Sequence, residues 1–140
     1  MMTNVSDLRQ SIECDMPMDK LSFPRLTMNI LENIIKDGIL LCPHVKRIGL
    51  IGSYARNQQH DNSDVDLILD TDNDLFREAL KSFGTYVSDV LDYQFNKRLE
   101  IVRYSLALKR ANEEPASIEN WYYQEGYQQM LKEVRWIYER

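Results

Sequence analysis

The chain is poor in sulfur. Two cysteines, Cys14 and Cys42, stand in 140 residues. They lack the spacing of a metal site and are too few to frame a small secreted fold, so reduced thiols are expected. No run of about 18 residues is apolar throughout and no basic-then-apolar leader is visible, so neither a membrane span nor a signal peptide is expected, and the cytoplasm is the expected location. Histidine is equally scarce: His44 and His60 have no partner at ligand spacing and are not expected to bind metal. Lysine and arginine number 17 against 22 aspartates and glutamates, a net charge of −5. That balance argues against a protein that holds nucleic acid by bulk electrostatics. Internal repeats, low-complexity tracts and linkers are missing too, and a composition 44% hydrophobic and 28% charged suits one globular domain with its own core.

What the chain does contain is concentrated between Ile48 and Asp70, in the stretch IGLIGSYARNQQHDNSDVDLILD. Ile48, Leu50 and Ile51 form a short β-branched run closed by Gly52, the pattern of a buried strand ending in a tight turn. Val65 to Leu69 suits a second strand. Alternate residues of a strand share a face, so Asp64 and Asp66 project together, with Cα atoms roughly 6.5–7 Å apart, while Val65, Leu67 and Leu69 face a core. Two carboxylates so placed repel unless cations lie between them, and a pair of Mg²⁺ ions about 3.5–4 Å apart suits in-line displacement at phosphorus. Gly52 lets backbone approach a phosphate, Ser53 can donate to phosphate oxygens, and Arg56, a turn later, can reach the same group.

Gly52-Ser53, ten residues, then Asp64-x-Asp66 resembles the signature of the polymerase-beta-like nucleotidyltransferase superfamily. The fuller GSYAR and SDVDL in so short a chain resemble the minimal nucleotidyltransferases (MNT), the antitoxin half of HEPN–MNT toxin–antitoxin pairs. The likeness in layout spans roughly Leu26 to Tyr138, and outside the motif it is weak. It implies an α/β (α+β) nucleotidyltransferase palm, with a small, mixed, mostly antiparallel sheet and helices packed on it, in one domain over residues 1–140. It further implies transfer of AMP from ATP, with two Mg²⁺, to a hydroxyl, tyrosine above all, of a HEPN-domain ribonuclease toxin, which is thereby neutralised. The catalytic and metal-holding set would be Asp64, Asp66 and Glu100. The nucleotide-binding set would be Gly52, Ser53, Arg56 and Ser63, with Ser63 acting through local hydrogen bonds that position Asp64. Two further readings remain beside it: an antitoxin that works by binding alone over a vestigial pocket, and a transferase for a small molecule of the aminoglycoside type. The chain departs from the family pattern at Asn57, where glycine is usual, at Ile51, where phenylalanine is common, and at Glu100, where an aspartate is typical. Asparagine is the non-glycine residue best suited to left-handed backbone angles, so the turn at Asn57 can survive. For Glu100 the structural alternative is an ion pair with Arg98 or Arg103.

The remaining segments give coarser expectations. Residues 1–20 suit a loose arm or a short helix. Leu26, Ile30, Leu31, Ile34 and Ile35 recur at helical spacing, with Pro24 in the first turn and Gly38 as the stop, and this helix should back the sheet. Leu75, Phe76, Ala79, Leu80 and Phe83 predict a helix terminated by Gly84. The four acids Asp70, Asp72, Asp74 and Glu78 read as favourable charge at that helix start rather than as metal ligands. Thr85 to Asn96 is ambiguous between strand and helix, Leu99 to Leu106 predicts a strand, and Lys109 to Pro115 a polar connection. Residues 116–140 predict a C-terminal helical segment, divided at Gly126, whose surplus aromatics, Tyr123 and Trp136 among them, suit a protein interface.

Overall fold

The computed structural model describes residues 23–114 and 118–140. The expected N-terminal arm, Cys14 and Pro115 lie outside them. Helix α1 (Met28–Ile39) opens after Thr27, whose hydroxyl accepts from the Ile30 amide at 3.3 Å, so Pro24 and Leu26 precede it. Strand β1 (Val45–Ile51) leads into a single turn, α2 (Gly52–Ala55), and then strand β2 (Val65–Thr71). Next come a short helix α3 (Phe76–Ala79), a π-helical turn (Leu80–Gly84) and helix α4 (Thr85–Phe95). Strand β3 (Leu99–Arg103), helix α5 (Tyr104–Asn112), helix α6 (Ile118–Glu133) and strand β4 (Arg135–Glu139) complete the chain.

The four strands form one mixed sheet in the order β3-β2-β1-β4. Both neighbours of β1 are antiparallel to it, and β2 and β3 run parallel, as the crossover through α3 and α4 requires. Alternation along the strands separates two faces. Ile48 and Leu50 of β1 and Val65, Leu67 and Leu69 of β2 point into the main core, against Leu31, Ile34 and Ile35 of α1, Phe83, and Val87 and Leu91 of α4. The opposite face carries Ile51 and Ile68, packed with Ala107 of α5 and covered by Tyr127, Met130, Leu131 and Val134. This α/β sheet with helices on both sides is the mixed, largely antiparallel arrangement that the sequence predicts.

Four expectations are corrected. Gly84 does not terminate its helix: it is buried with φ −61°, a Cβ there would stand 3.3 Å from Ile101 Cδ1, and the helix runs through the π turn into α4. Its smallness serves packing rather than a stop. Gly38 likewise lies inside α1, where a Cβ would meet Phe83 at 3.0 Å. Strand β3 ends at Arg103, and Tyr104 to Asn112 is helical where a strand end and a polar connection are predicted. Finally, α6 is undivided at Gly126 and ends at Glu133, after which Arg135–Glu139 pairs with β1 as a strand. Trp136, Ile137 and Tyr138 continue the apolar spacing of the helix, but they pair with the edge of β1, and aromatic and β-branched side chains suit a half-buried strand.

Candidate active site

The turn between β1 and α2 sets the geometry. Ile51 is the last residue of β1 and is the register partner of Asp66 on β2. Gly52 then takes φ +69°, the left-handed region, and a Cβ on it would lie 2.6 Å from Asp66 Oδ2. Only glycine brings the chain this close to the carboxylate. The turn closes with the Arg56 amide donating to the Gly52 carbonyl at 3.2 Å and the Gln58 amide to the Ser53 carbonyl at 2.9 Å. Asn57 stands at φ 57°, so asparagine supports the conformation that glycine would otherwise supply.

Three predicted acids lie along this end of the sheet. Asp64 precedes β2, Asp66 is its second residue, and Glu100 is the register partner of Asp66 on the parallel strand β3. Asp66 is pushed up to about 6, first by burial and then by Glu100, which both repels it and shares a hydrogen bond with it; Asp64 adds to the rise and Arg56 opposes it. Glu100 stands in register beside Asp66, and among the described residues it makes no ion pair with Arg98 or Arg103. Two carboxyl groups sharing a proton is what such a pair does when no cation separates them. Among the described residues no three His, Cys, Asp or Glu side chains are gathered tightly enough to enclose an ion. The donor set nonetheless fits a divalent cation: hard oxygen ligands, crowded enough to raise the affinity of one of them for a proton.

The loop before β2 is internally tied. Ser63 is buried, its hydroxyl accepts from the His60 amide at 2.9 Å, and its own amide donates to the His60 carbonyl at 2.9 Å. This is the local hydrogen bonding expected of Ser63. Arg56 lies close enough to act on Asp66, but its side chain donates to Glu133 at 3.2 Å and to Gln58 at 3.2 Å. A cleft of about 650 Å³ runs from Asp64 along Gln59 to Ser63 and past Tyr54 and Lys97, within the range of small-ligand sites.

Sequence reasoning missed Lys97, Glu133 and Gln59 at this end. A lone lysine reads as solvated, yet Lys97 is buried and donates to the carbonyls of His60 and Asp61. Glu133 shows no signal locally because its partner is 77 residues away. Of the four acids further along, Glu78 lies in the first turn of α3 as expected, while Asp70 pairs with Arg47 at 3.1 Å, Asp72 with Arg140, and Asp74 with Arg103 at 3.4 Å.

The model of the nucleotidyltransferase domain family matches residues 31–123. A relative from Methanocaldococcus jannaschii, named a putative protein adenylyltransferase, is 40% identical over 48 residues, which are 34% of this chain and 49% of that protein. The chain thus spans about half the length of the curated relative it matches. Among solved structures, a toxin–antitoxin crystallised with AMP-PNP is 19% identical, with 72% of this chain and 86% of that one covered at a TM-score of 0.42. A variant of the toxin–antitoxin MntA-HpeT is 16% identical over 76% of this chain and 88% of its own, also at 0.42.

Proposed function

The chain belongs to the nucleotidyltransferase domain family, and from that premise we propose that it transfers AMP from ATP, with Mg²⁺, to a hydroxyl of a protein partner. The partner proposed is a HEPN-domain ribonuclease toxin, held in a hetero-oligomer in the cytoplasm and silenced by modification of a tyrosine. The observation that supports a transferase most is the approach of Gly52 to within 2.6 Å, measured from the position of a Cβ, of an Asp66 carboxylate already crowded by Glu100. A phosphate chain and its counter-ions suit a glycine turn that meets acids which, among the described residues, make no ion pair.

Asp64, Asp66 and Glu100 hold the cations. Bound there, Mg²⁺ supplies neutralisation of the triphosphate and of the charge that develops on the leaving group. Gly52 and Ser53 bind the β- and γ-phosphates through a backbone free of Cβ and through the serine hydroxyl, and Ser63 keeps Asp64 in place. Arg56 exchanges Glu133 for phosphate oxygens and stabilises charge as the bond breaks. The acceptor hydroxyl oxygen forms a bond to the α-phosphorus while the bond from that phosphorus to the bridging oxygen breaks and pyrophosphate departs. Glu100 completes the cation site or takes the hydroxyl proton.

The test is mass spectrometry of the cognate partner after incubation with the chain, ATP and Mg²⁺. The expected result is a gain of one or more AMP units, lost with Asp64→Ala combined with Asp66→Ala. An unmodified partner, with nucleotide binding demonstrated in the same preparation, would sink the enzymatic reading. A binding-only antitoxin is the second reading, favoured by the engagement of Arg56 with Glu133 and by the exposure of Glu100. Growth rescue by the same double variant separates the two.

A further inference from the structure

Lys97 is 8% exposed, and among the described residues no carboxylate pairs with it. A buried ammonium is costly unless its donors are satisfied. Here they are satisfied by main chain: Nζ donates to the carbonyl of His60 at 3.4 Å and to that of Asp61. Those two carbonyls belong to the turn that Ser63 closes, immediately before Asp64. On the other side of Asp64, the Val65 amide donates to the Arg98 carbonyl at 2.9 Å. Asp64 is therefore bracketed, with the residues before and after it tied to consecutive residues of one connection.

That connection is itself fixed. Helix α4 ends at Asn96, in the left-handed conformation with φ 52° and ψ 44°. The Lys97 amide then donates back to the Leu91 carbonyl at 3.0 Å, so the chain reverses over the helix end. The lysine stem starts from a rigid point, and Lys97 and Asp64 line the same cleft.

We propose that Lys97 is a positioning residue for Asp64, a staple from the end of α4 to the turn that presents this carboxylate to the cation. The proposal rests on the reading of Asp64 as a cation ligand. An exposed salt bridge would be screened and mobile, whereas a buried lysine that donates to two main-chain carbonyls of the turn restricts it.

The test is a titration of the full chain with Mn²⁺, following free Mn²⁺ by electron paramagnetic resonance. Lys97→Met keeps the stem and removes all three donors; its Mn²⁺ affinity should fall about tenfold, as for other groups that orient a metal ligand. Lys97→Arg should return to within about threefold of the parent, since a guanidinium can donate to both carbonyls. Val87→Ala, a core variant of α4 remote from the turn, should lower the melting temperature and leave the affinity unchanged. Equal loss in Val87→Ala and Lys97→Met would overturn the proposal, as would an unchanged affinity in Lys97→Met. If Lys97→Met does not fold, Lys97→Gln is titrated instead, and an affinity equal to the parent's overturns the proposal. Asp64→Ala separates the two levels: Mn²⁺ binding unaffected by that change would refute the reading of Asp64 itself, whereas binding lost with Asp64→Ala but intact in Lys97→Met would refute only the staple.

Discussion

One face of the sheet carries acids at both ends, and the two ends treat them differently. At the far end, Asp70 lies against Arg47, whose guanidinium is stacked 4.6 Å from the centroid of the Tyr104 ring and 4.2 Å from that of Trp136. Asp72 is held by Arg140, which lowers its pKa. At the near end, Asp66 and Glu100 have each other, and Arg56, the nearest cation acting on them, is drawn off by Glu133. The middle of the face is hydrocarbon, Ile68 packed with Ala107 of α5 and with Tyr127, Met130 and Leu131 of α6. Arginines pair with Asp70 and Asp72 at one end, whereas among the described residues Asp64, Asp66 and Glu100 make no ion pair at the other. One end is tied by ion pairs, and the other is crowded by like charge.

The largest effect should come from filling the turn at the near end. Gly52→Ala places a methyl group 2.6 Å from Asp66 Oδ2 at φ +69°, and both the contact and the backbone angle penalise it. Nucleotide transfer to the partner, followed by mass, should fall at least about a hundredfold, while circular dichroism still reports a folded chain. The Asp66→Asn change should do the opposite to stability. Asp66 is raised to about 6 from its ordinary 3.8, so its ionised form opposes folding. Removing that charge should stabilise the metal-free chain at pH 7 by about 1–3 kcal/mol in urea denaturation, because a tenfold change in proton affinity is worth about 1.36 kcal/mol, although it abolishes transfer. At the other end Asp70→Asn should cost about 1 kcal/mol in the same measurement, since a partly buried charged hydrogen bond is lost. Equal signs at 66 and 70 would erase the distinction between the ends.

The two ends should also titrate oppositely. For Asp66 the folded-state value lies above the unfolded one, so its favourable contribution is complete below about 3.8 and is lost as pH rises through about 6. For Asp72 the folded value is depressed by the Arg140 hydrogen bonds, so its contribution is present above the ordinary carboxylate value and fades as pH falls. Melting temperatures of Asp66→Asn and Asp72→Asn, each subtracted from the parent across pH 3 to 8, should therefore diverge in opposite directions.

Much of this is legible in the order of residues alone. The alternation of apolar residues with Asp64 and Asp66 marks β2 and the face its acids take. The Gly-Ser spacing marks the turn, and the tolerance of asparagine for left-handed angles foretells φ 57° at Asn57. Tertiary partners hide the rest. Trp136 to Tyr138 keep helical spacing and become a strand only because β1 offers them an edge. Gly84 reads as a stop and is instead a site of contact with Ile101. Lys97 and Glu133 have no local pattern at all, since each acts on a turn supplied by a distant segment.

Central to the proposed function is that Asp66, raised to about 6 by burial and by Glu100, gives up its proton when a cation and nucleotide bind beside Gly52. Calorimetric titration of the chain with Mg²⁺ and a non-hydrolysable ATP analogue near pH 6, in two buffers of different ionisation enthalpy, tests it most directly. Binding should release a fraction of a proton, the release vanishing at pH 8 and in Asp66→Asn. Binding of the same strength in Asp66→Asn, with no proton released from the parent at either pH, would contradict it.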